Sequence, residues 1–143
     1  MDIAALVAWV VTALGGFVLL ARWLARGGLR QQQTGTTRFP APLVFGHFLL
    51  AAAGLVLWIV YLAAETDALA WTAFGLLVAV ALLGFTMLAR WIPVYRTVAA
   101  TAAEDEAVPA ERHLPVPVVA AHGILAATTL VLVLLAALDV GVS

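Results

Sequence analysis

The sequence predicts an all-α fold, a bundle of four transmembrane helices built from a duplicated helical hairpin. Three observations predict it. Hydrophobic residues make up 65% of the 143 positions and charged residues only 10%, against roughly 45–50% and 25% in a soluble domain, which is more apolar surface than one small core can hide. The basic residues are sorted to one side of the apolar segments. Two long stretches of the chain also recur in the same order.

Four segments are long enough to cross about 30 Å of hydrocarbon, for which a helix needs about 20 apolar residues. They run from Ile3 to Leu24, Ala41 to Ala64, Ala68 to Ile92 and Val116 to Leu138. Arg22 and Arg26 follow the first segment instead of preceding it, so it reads as a retained helix and not as a cleaved signal. All seven basic residues are arginine. Arg22, Arg26, Arg30 and Arg38 lie at or between the first and second spans, and Arg90, Arg96 and Arg112 at or between the third and fourth. By the positive-inside rule those loops are cytoplasmic and both termini face outward, together with the Glu65-Thr66-Asp67 turn. The expected location is the inner (plasma) membrane of a bacterium, in keeping with a chain rich in Ala, Val, Leu and Arg that lacks lysine. Trp23 and Trp91 are expected at the inner interface and Trp9, Trp58 and Trp71 nearer the outer one, as anchors.

The repeat divides one transmembrane domain, residues 1–143, into copies 1–66 and 67–143. FPAPLVFGHFLLAAAGLVL from Phe39 aligns without gaps on LPVPVVAAHGILAATTLVL from Leu114, an offset of 75 residues (114 − 39). ALGGFVLLARWL from Ala13 aligns on ALLGFTMLARWI from Ala81, an offset of 68 (81 − 13). An even number of spans separates the copies, so they enter the membrane in the same direction, related by a pseudo-twofold axis along its normal.

That symmetry pairs His47 with His122. Each lies seven residues past the first proline of its copy, roughly 10 Å inward at 1.5 Å per residue. An imidazole at that depth is costly against lipid and turns into the bundle, where it is a functional candidate or a packing group bonded to a neighbouring helix. Counting outward from Arg22 and Arg90, Gly16 and Gly84 reach the same layer. Ala51 and Ala126 continue the histidine faces at i+4, so the layer has small walls. His113 has Arg38 as its counterpart and is read as a surface residue. The acidic segment 99–112 reads as a linker or short surface helix.

Two opposed imidazoles fall short of the three protein ligands of a catalytic zinc or the four of a structural one. With no cysteine, disulfides, thiolate sites and iron–sulfur clusters are excluded. No phosphate loop, nucleophile–base pair or nucleic-acid-binding stripe is present. Six-coordinate haem iron, by contrast, needs only two axial imidazoles. The candidate metal ligands are therefore His47 and His122, with Gly16 and Gly84 beside the macrocycle and Arg22 and Arg90 as partners for its propionates.

In this arrangement the chain is similar to small bacterial four-helix membrane proteins, and its bundle plan resembles the b-type membrane cytochromes, which hold haem between histidines on the second and fourth helices. The resemblance is one of architecture. Those cytochromes commonly carry two histidines on each ligating helix and stack two haems; here each helix carries one. It implies haem b, single-electron exchange near the cytoplasmic face, and a quinone or redox protein as partner, alone, as a homodimer or within a larger membrane complex. Two other readings stand beside it: a small transporter or metal-ion carrier, since parallel repeats also build carriers, and a non-catalytic subunit of a larger complex.

Overall fold

A computed structural model describes residues 1–100 and 108–138, the side chains of residues 98–100 excepted. The described residues are helical, with no strand among them. Helix α1 spans Asp2–Ala25, a single turn α2 spans Gln31–Thr34, α3 spans Ala41–Ala64, α4 spans Asp67–Ala100 and α5 spans Val116–Ala137; a 3-10 turn, Ala110–His113, precedes α5. Of these, α1, α3, α4 and α5 are long and apolar enough to cross a membrane. The sequence places the same four, but α4 runs on past the expected end at Ile92. Pro93 lies inside it. Proline removes one backbone donor, and that loss is tolerated because the extension is tied down on both sides: Trp91 Nε1 donates to the Glu111 carbonyl at 3.0 Å, and Arg112 stacks over the Tyr95 ring, 5.1 Å from its centre.

Both P-x-P sequences start helices in the same way, with Pro40 and Pro115 as N-caps and the second proline in the first turn, where the absent N–H is not needed. At the other end of α3, Glu65 takes a left-handed conformation, φ 50°, which lets α4 begin two residues later. The closest helix pairs are α3 with α4 and α1 with α5.

The buried side chains form two separate clusters. One lies towards the end that carries Glu65 and contains Ala5, Trp9, Trp58, Ala73, Leu77 and Val133. The other lies at the arginine-bearing end and contains Trp23, Phe39, Val44, Trp91, Ala110 and Leu114. Four of the five tryptophans are thus in the protein interior instead of at a lipid interface, Trp58 with 0% exposure; Trp71, at 45%, is the exposed one. Two of the buried indoles fill places that a glycine leaves free: a Cβ would come within 2.9 Å of the Trp9 ring at Gly54 and closer still to the Trp23 ring at Gly28.

Candidate functional site: two imidazoles in an open layer

Between the two clusters the four helices share a half-buried layer. No residue is buried from Ala13 to Arg22 in α1, Phe45 to Ala53 in α3, Ala81 to Arg90 in α4 or Val116 to Thr128 in α5. The stretches span roughly 15 Å of helix at 1.5 Å per residue and coincide across all four helices. Close packing is the rule in protein interiors, whereas in this layer even the inward positions are only half-buried. His47, His122, Gly16, Gly84, Ala51 and Ala126 are all half-buried.

The two imidazoles face each other across this layer, with ring centres 6.3 Å apart and planes at 60°. Each is held by the helix beside it. His122 Nδ1 lies 2.9 Å from the Thr12 carbonyl, and His47 Nδ1 lies 3.0 Å from the Val80 carbonyl. A carbonyl only accepts, so in both rings Nδ1 carries the hydrogen, and the neutral ring keeps its lone pair on Nε2. No buried side-chain nitrogen or oxygen among the described residues lacks a partner. Among the described residues neither Nε2 has a hydrogen-bond partner.

The glycines explain how the rings reach those carbonyls. A Cβ on Gly16 would sit 3.1 Å from His122 Cε1, and one on Gly84 would sit 3.2 Å from His47 Cε1. Both glycines lie four residues after the accepting carbonyl, so the ring crosses the helix over the glycine to make its bond. Sequence reasoning brings Gly16 and Gly84 into the layer as walls for a cofactor; the structure puts the imidazoles themselves against them. Acceptors, glycines and histidines match at the repeat offsets: Thr12 and Val80 are 68 apart, Gly16 and Gly84 also 68, and His47 and His122 are 75 apart.

The remaining candidates lie towards the arginine-bearing end. Arg22 is exposed, and Arg90 Nη1 donates to the Arg38 carbonyl at 3.2 Å; neither is hydrogen-bonded to a histidine. His113 is exposed at the end of the 3-10 turn. Its pKa is lowered, chiefly by the partial desolvation of the ring where it meets the protein surface and further by the Arg26 and Arg112 cations. The Glu104-Asp105-Glu106 run lies outside the described residues.

Two features escaped sequence reasoning. Glu111, within the expected linker, is fully buried at 0% exposure. Its carboxylate accepts from Thr37 Oγ1 at 2.7 Å and from the Arg38 backbone N–H. Alongside it, Gln31 accepts from the Ala110 N–H at 2.8 Å and donates to the Val108 carbonyl at 3.0 Å, so the segment before α5 is docked onto the loop before α3. The second feature is a buried hydroxyl pair, Thr12 and Thr129, whose Oγ1 atoms are 3.2 Å apart. A shallow apolar groove on α5, lined by Ile124, Ala127, Thr128, Val131 and Leu132, includes neither histidine.

No third histidine, cysteine or carboxylate joins the pair among the described residues. Chemically, the site offers two imidazoles in one layer, each with a lone pair on an unpartnered Nε2 when neutral. No family model, curated protein or solved structure matches this chain.

Proposed function

We propose that the chain is a monohaem membrane cytochrome of the b type, with His47 and His122 as the two axial ligands. The observation that carries this reading is the pair of unpartnered Nε2 atoms on rings 6.3 Å apart. An imidazole nitrogen binds a metal at about 2 Å, so rings at that separation are near enough that both would hold one ion. The Nδ1 bonds support the same reading. Metal-ligating histidines almost always donate the other ring N–H to a carbonyl or carboxylate, which fixes the tautomer and the aim of the ring. With two protein donors, the remaining positions on the metal would fall to a macrocycle, which would lie along the half-buried stretches of the four helices.

The bound haem would supply reversible one-electron chemistry at iron. The residues of the chain would do the rest: His47 and His122 ligate, the Thr12 and Val80 carbonyls orient them, and Gly16 and Gly84 let the rings seat. Arg22 and Arg90 would meet the propionates, or anionic headgroups at the same level. A bonding role for the histidines as packing groups accounts for the Nδ1 contacts but gives no reason why both rings leave Nε2 without a partner.

The surrounding plan belongs to the same proposal. We read the chain as a duplicated hairpin in the plasma membrane with both termini outside, a reading supported by the matched acceptors, glycines and histidines and by arginines confined to one end. Electron exchange is then with a quinol or redox protein on the cytoplasmic side. Purified from a haem-replete host without added ligand, the protein should carry one haem b per chain and show a sharp Soret band with narrow reduced α and β bands. A colourless, folded preparation would overturn the reading.

A further inference from the structure

The two halves of the site differ in one respect that the repeat does not explain. Thr12, whose carbonyl accepts from His122, has its hydroxyl 3.2 Å from that of Thr129 on the helix that carries His122. Each hydroxyl has a single proton, so whichever one donates across the helix pair gives up its back bond: Thr12 Oγ1 also lies 2.7 Å from the Ala8 carbonyl and Thr129 Oγ1 2.8 Å from the Leu125 carbonyl, and one of these two contacts yields to the cross bond. Both residues are buried, Thr129 to 1% exposure. On the other side the corresponding positions are Val80 (12 + 68) and Gly54 (129 − 75), which hold no hydroxyl. So α1 and α5 are tied twice through Thr12, once by the imidazole and once by the hydroxyl, whereas α3 and α4 have only the imidazole bond at this layer.

We infer that Thr12 and Thr129 are positioning residues for His122, a hydroxyl clamp that holds the carbonyl to which the ring is tied and so makes the two ligands of the site inequivalent. This rests on the haem reading above. An interhelical hydrogen bond in a membrane is of modest strength, so the clamp sets the rigidity of the ligand and is not a condition of folding.

The test compares wild type with Thr12→Val, Thr129→Val and Thr129→Ser, each purified with the haem it acquires in the host. Both valine variants should retain one haem per chain. Their low-spin electron paramagnetic resonance signal should shift, and carbon monoxide should bind the reduced protein about three-fold faster, the change that one hydrogen bond of that strength accounts for. Thr129→Ser, which keeps the hydroxyl, should behave as wild type. Valine variants with wild-type signal and rate would overturn the clamp while leaving the haem reading intact. Should wild type hold no haem, that reading falls, and the clamp is read instead from 15N-histidine spectra: Thr129→Val should move the His122 Nδ1 resonance and spare that of His47. An unmoved His122 resonance would overturn it.

Discussion

Adding one methyl group at Gly16 or Gly84 should disturb the site in a way that can be worked from the coordinates. The new Cβ would stand 3.1 Å from His122 Cε1 in the first case and 3.2 Å from His47 Cε1 in the second. Carbon atoms pack best at about 3.5–4.0 Å, so each ring must retreat by roughly half an ångström. The retreat draws Nδ1 away from a carbonyl now at 2.9 or 3.0 Å and towards or beyond the usual limit of about 3.2 Å. Overpacking of this kind costs about 1–3 kcal/mol, partly offset by up to about 1 kcal/mol that alanine gains over glycine inside a helix. Gly46 and Gly123 provide internal controls, because a Cβ at either meets nothing within 4 Å. Thermal unfolding in detergent reads the difference, at about 3 °C per kcal/mol for a chain of this size. Gly16→Ala and Gly84→Ala should each lower the midpoint by a few degrees and broaden any haem spectrum, while Gly46→Ala and Gly123→Ala leave it unchanged or raised. If all four behave alike, or if only one of the first pair is costly, the matched seating of the two rings is refuted.

Other expectations concern the arginine-bearing end. Glu111→Ala strands the Thr37 hydroxyl and the Arg38 N–H that it now satisfies; leaving buried donors without partners costs about 1–3 kcal/mol, and proteolysis between α4 and α5 should accelerate. His113 has a pKa below its ordinary value in the folded protein, so the unfolded chain binds the proton more readily. Its contribution is present above the unfolded value of about 6.5 and is lost as pH falls through the folded one. His113→Gln should flatten the small loss of thermal stability below pH 6.5 and leave the histidine pair untouched. For sidedness, a cysteine replacing Thr66 should react with an impermeant label from outside and one replacing Gln33 should not; the reverse pattern would invert the orientation.

The four long helices were legible in the sequence because each is a run of apolar residues bounded by charges, prolines or a turn. The third long helix exceeds its expected end at Ile92: Trp91 and Tyr95 anchor α4 on either side of Pro93 through contacts with Glu111 and Arg112, residues about 20 positions away that no local pattern announces. The tryptophans misled for a related reason. Their lengthwise position suggests an interface, whereas burial depends on which face of the helix they occupy and on small partners such as Gly54. His47, His122, Gly16 and Gly84 lie in one layer, where counting the rise per residue along the helices places them. What depth does not carry is direction. That the rings lie on the glycines and donate to Thr12 and Val80 follows only from the packing of α5 on α1 and α3 on α4. Glu111 gave no signal at all, because a buried carboxylate and a solvated one look the same in a charged loop.

Removal and replacement of the two ligands tests the central claim most directly. Absorption spectra of His47→Ala, His122→Ala and the double variant should be compared with wild type, with and without added imidazole. If both rings ligate one iron, each single variant should lose the low-spin spectrum in favour of a five-coordinate high-spin one, and imidazole should restore it by entering the space that the side chain vacated; the double variant should lose most of its haem. A low-spin spectrum that survives unchanged in either single variant would contradict the account, since the iron would then take that ligand from elsewhere.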